Sequence, residues 1–85
     1  MDKQSTINAF REAILSNEEF TKAIFGIQPL PECIEDFVIA LSSIHFADLM
    51  IDVEKRLGIE IAEECMFSPR ISIGVLAEKV VERYV

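Results

Sequence analysis

The chain has 85 residues, enough for one domain and too few for two, and 51% of them are apolar, which argues against a disordered chain. Eight Lys and Arg stand against 15 Asp and Glu, a formal net charge of −7; a field of that sign repels nucleic-acid phosphates and anionic lipid, so partners with basic docking patches are expected instead. No apolar run approaches the roughly 20 residues of a membrane helix, and Met1-Asp2-Lys3-Gln4 opens no secretion signal, so a cytoplasmic protein is expected.

The first predicted element spans about 5–25. Ile7, Phe10 and Ile14 recur at helical spacing. Ser16-Asn17-Glu18-Glu19 fits a capping box, where the helix can break and restart through Phe20, Ile24 and Phe25. Gly26 is a natural stop. Pro29 and Pro31 then argue for an extended loop. That loop is expected to reach Ser42, with at most a short helical turn over 35–40.

The clearest helix runs over 43–57 and stops at Gly58, with Ser42 or Ser43 as its N-cap. Phe46, Leu49, Met50, Val53 and Leu57 fall at i, i+3, i+4, i+7 and i+11, one apolar stripe. Ile59-Glu60-Ile61 reads as an extended connection whose isoleucines pack inward. A brief helical turn is expected over 62–67, ended by Pro69. The last helix, over 72–85, opens on Ser72 as N-cap and repeats the stripe with Ile73, Leu76, Ala77, Val80 and Tyr84. The expected fold is all-α: a small four-helix bundle of three main helices plus one short helix. Its core should include Phe10, Ile14, Leu49, Val53, Leu57, Ile61, Leu76 and Val80.

Catalytic chemistry finds no foothold. The three glycines are isolated, so no phosphate-cradling loop exists. His45 lies too close in sequence to Ser42 and Ser43 to form a nucleophile–base pair on one helix, and no oxyanion loop accompanies it. Cys33 and Cys65 have neither pairing nor metal-ligand spacing, and a single histidine does not complete a zinc site. Both thiols are expected reduced and mostly buried. The chain is not expected to be an enzyme.

One segment adds more. It runs from Leu41-Ser42-Ser43-Ile44-His45-Phe46-Ala47-Asp48 through Val53-Glu54-Lys55-Arg56-Leu57-Gly58-Ile59-Glu60-Ile61. It resembles the phosphopantetheine-attachment region of acyl carrier proteins and peptidyl carrier domains. In that family an Asp-Ser-Leu-type motif opens an acidic amphipathic helix, which ends in an aromatic or leucine, a glycine and an Ile-x-Ile-like stretch. Ser43-Ile44 and Leu57-Gly58 fall at the matching places, and Phe67-Ser68-Pro69-Arg70-Ile71-Ser72 is similar to the family's loop into its last helix. The likeness covers residues 36–85. The closest flavour is the freestanding carrier of nonribosomal peptide, polyketide or fatty-acid-like pathways.

The resemblance implies that Ser43 is the attachment point for 4′-phosphopantetheine, placed there by a phosphopantetheinyl transferase. It implies a monomer served by loading and processing enzymes, the cargo held as a thioester on the arm. It also implies a docking face on the same helix, made of Ile44, Ala47, Asp48, Ile51, Asp52 and Glu54. Two positions depart from the family: Ser42 stands where Asp usually precedes the modified serine, and Lys55 and Arg56 stand where acidic residues are common. The alternative is an adaptor that keeps the carrier fold and never receives the arm.

Overall fold

The computed structural model describes residues 2–26, 32–39, 41–61 and 71–84, the side chains of Arg83 and Tyr84 excepted. Helix α1 covers Lys3–Leu15 and helix α2 covers Glu18–Ile24. Strand β1 is Val38–Ile39, helix α3 is Ser43–Leu57, strand β2 is Ile71–Ser72 and helix α4 is Ile73–Tyr84. The molecule is the small all-α bundle that the apolar stripes predict.

Each helix boundary has a local cause. Asp2 caps α1 by accepting the Ser5 N–H at 2.7 Å, and that bond holds its carboxyl below the ordinary 3.8. The first predicted helix does break at Ser16-Asn17: Ser16 closes α1, and Asn17 caps α2 by accepting the Glu19 N–H at 2.9 Å. The Thr21 hydroxyl donates to the Ile14 carbonyl at 2.9 Å, stitching the start of α2 to the end of α1. Gly26 ends α2 with φ 74°, the left-handed conformation that glycine adopts without steric cost.

The two helical stripes meet against α1. Phe10, Ile14, Leu49, Val53, Leu76 and Val80 are fully enclosed, and Ile61 is buried with them. Helix α1 packs on both α3 and α4. It runs antiparallel to α3, because Glu12 reaches Arg56 while Ser16 reaches Asp52. Leu57 departs from the expected core. It is half-buried at the edge of the cluster, where α3 ends and the chain turns at Gly58.

Segment 32–39 also differs from expectation. A turn at Glu35-Asp36 leads not into a helical turn but into β1, which pairs antiparallel with β2, Val38 opposite Ser72 and Ile39 opposite Ile71. The same segment completes α4. The Ile73 N–H donates to Phe37 O at 2.9 Å and the Gly74 N–H to Glu35 O at 3.0 Å, while Ser72 caps the helix by accepting the Val75 N–H at 3.3 Å. Helix-start donors left open by the intrahelical pattern are thereby satisfied. Cys33 is exposed rather than buried, because its neighbour Ile34 takes the inward place in this segment. The turn predicted over 62–67, Cys65, and the loop prolines Pro29 and Pro31 lie outside the described residues. Among the described residues, no helix is long and apolar enough to cross a membrane.

Candidate functional site

Two adjacent serines at the start of α3 stand in different environments. Ser42 has extended backbone angles, φ −63° and ψ 159°, and its hydroxyl oxygen accepts the His45 N–H at 3.3 Å. Ser42 is therefore the N-cap. Its carbonyl accepts the Phe46 N–H at 2.8 Å, the first bond of the helix. Ser43 is the first helical residue, exposed, and its hydroxyl bonds no other described residue. The Ser43 and Ile44 amides likewise bond no other described residue. Such open amides at a helix start, aligned with the helix dipole, suit an anion held on the Ser43 oxygen.

Helical spacing distributes the other predicted residues over α3. Ile44, Asp48, Ile51 and Lys55, at i, i+4, i+7 and i+11, form one stripe and are all exposed. Ile44 is 74% and Ile51 43% exposed, the latter comparable with Leu15, Val38 and Val75 elsewhere on the surface. Ala47 is half-buried beside them.

Asp52 and Glu54 hold intramolecular bonds. Asp52 pairs with Arg56 one turn on, Nε to Oδ1 at 3.2 Å, and accepts the Ser16 hydroxyl at 3.4 Å. Arg56 in turn reaches Glu12 at 3.5 Å. These groups staple α3 to the end of α1. Glu54 bridges the helix end: its Oε1 accepts the Ile61 N–H at 2.9 Å, across the left-handed Gly58 with φ 69°. Asp48 and Lys55 make no ion pair or side-chain hydrogen bond with any described residue. Among the described residues, the stripe that faces outward thus carries one anion and one cation without a polar partner, with Ile51 between them.

His45 lies off this stripe, about a quarter turn around the helix. Its ring meets Phe20 of α2 edge-on, centroids 6.0 Å apart and planes at 64°, so it packs the seam between α2 and α3. Phe20 alone carries no sequence signal for this contact beyond its place on the α2 stripe. Near Cys33 lies a shallow cavity of about 150 Å³, bordered by Gln4, Ile7 and Glu32, away from α3. Among the described residues, no group of three or more His, Cys, Asp or Glu side chains gathers as metal ligands would.

Comparison with known proteins found no family model, no curated protein and no solved structure that matches the chain.

Proposed function

We propose that the protein is a carrier that holds an acyl or aminoacyl group on a 4′-phosphopantetheine arm attached to Ser43. The observation that carries the reading is the division of labour at the start of α3. Ser42 does the capping, which leaves the Ser43 hydroxyl exposed and uncommitted at the helix position of the family's modified serine.

In the attachment step the Ser43 oxygen would attack the pantetheine-side phosphorus of coenzyme A. A Ser–O–P bond forms, the pyrophosphate P–O bond breaks, and adenosine 3′,5′-bisphosphate leaves. The hydroxyl proton passes to a base on the transferase. The arm, when attached, supplies a terminal thiol that carries the cargo as a thioester. The chain's own part is to present the serine, to favour the new phosphodiester with the open α3 amides, and to offer a rigid face for enzymes. Ile44, Ala47, Ile51 and Asp48 make up most of that face. Asp52 and Glu54, engaged within the fold, contribute to its shape more than to its free charge.

The test is intact-protein mass spectrometry after incubation with coenzyme A and a broad-specificity phosphopantetheinyl transferase. Wild type is expected to gain one arm, Ser42→Ala to gain it too, and Ser43→Ala to gain none. Absence of any gain in folded wild type would favour the adaptor reading.

A further inference from the structure

The outward stripe of α3 is complementary to itself. Its order is Ile44, Asp48, Ile51, Lys55, followed by half-buried Ile59 just past the helix end. Asp48 and Lys55 lie one turn to either side of Ile51 and are separated by seven residues, so they occupy the same flank of the helix. Same-flank residues meet across an antiparallel pair of helices. A two-fold axis at Ile51 would set Asp48 of one copy against Lys55 of the other, and the reverse, with Ile51 against Ile51 at the axis. It would also lay Ile44 of each copy over the Ile59 end of the other. Such an isologous arrangement needs one patch used twice.

We propose that this face pairs with a second copy of the chain, antiparallel α3 on α3, as a weak and reversible dimer. Charge complementarity selects the occupant. Of the other charged side chains of α3, Asp52 and Arg56 pair with each other and with α1, and Glu54 accepts the Ile61 N–H, so among the described residues Asp48 and Lys55 are the α3 charges with no polar partner in the fold. The net charge of −7 per copy opposes association, but beyond a Debye length of about 8 Å at physiological salt that repulsion is screened, whereas the paired groups are in contact. One helix of 15 residues, about 22 Å long, falls short of the roughly 800 Å² per partner of a stable interface, so the pairing is transient. The pairing does not require the arm. It does cover the face beside Ser43, and self-association and enzyme docking therefore exclude each other.

Sedimentation velocity of the unmodified full chain, from micromolar to millimolar concentration at physiological salt, tests the proposal. The weight-average mass of wild type is expected to climb from monomer toward dimer. Asp48→Lys and Lys55→Asp should each hold the protein nearer monomer, since each sets like charges opposite one another. The double exchange Asp48→Lys with Lys55→Asp should restore wild-type association, with circular dichroism confirming the fold of every variant. A wild type that stays monomeric at millimolar concentration would overturn the proposal, as would a folded double variant that stays monomeric. Mass gain at Ser43 is read separately, so failure of either idea is seen independently of the other.

Discussion

Neighbouring side chains of the same type do different work here, and single substitutions separate them. Ser42→Ala removes the cap of α3 and is expected to lower stability by about 0.5–2 kcal/mol, whereas Ser43→Ala, which breaks no described bond, should leave the urea midpoint close to wild type. Equal losses for the two would mean that the serines share the capping. The same contrast holds for carboxylates. Glu54→Ala strands the Ile61 N–H beside a buried side chain and should cost about 1 kcal/mol, toward the low end of an unsatisfied donor because water can reach part of the site. Asp48→Ala, with no described partner, should cost nothing measurable in the same urea titration. The sequence shows both acids on one helix. It does not show that Glu54 spans the left-handed turn at Gly58 to a residue seven positions on, because that bond depends on where the chain goes after the helix.

Among the elements, α4 gives the sharpest test, because its first turn is built by another part of the chain. A Cβ added at Gly74 would sit 3.0 Å from Glu35 Cβ and 3.3 Å from Glu35 O, and that carbonyl is held by the Gly74 N–H. Alanine normally favours a helix over glycine by about 1 kcal/mol. Here crowding of backbone that is itself bonded should outweigh it, and Gly74→Ala is expected to lower stability by about 1 kcal/mol in thermal or urea unfolding. A stabilised variant would show that segment 32–39 yields easily. The helices were legible in the sequence for a plain reason. Apolar residues repeating at i, i+3, i+4 and i+7 leave a stripe, and Leu49, Val53, Leu76 and Val80 lie where the stripes put them. The β1–β2 pair was not legible, since two residues per strand carry no alternation to detect. Exposure of Cys33 followed from the same undetected segment. Its own residue type argued for burial.

At the scale of the whole molecule, the carrier reading asks the fold to hold the outer face of α3 and the exposed Ser43 in place. Helix α3 is fixed on its inner side by Leu49, Met50 and Val53 and on its flank by the Asp52–Arg56–Glu12 contacts, so its outer stripe is presented in one orientation. Under the carrier reading, Ile51→Ala and Asp48→Lys should slow loading by the modifying transferase while circular dichroism stays unchanged. Ile51 would act mainly on residence time, and Asp48 on association rate and its salt dependence. Unchanged rates for both would move docking to the loop before Ser43. The most direct measurement of the central claim is fragmentation mass spectrometry of the peptide containing Leu41-Ser42-Ser43-Ile44, taken from wild type after incubation with coenzyme A and transferase. The account predicts a phosphopantetheine adduct on Ser43 and none on Ser42. An unmodified peptide from folded protein, or an adduct on Ser42, would contradict it.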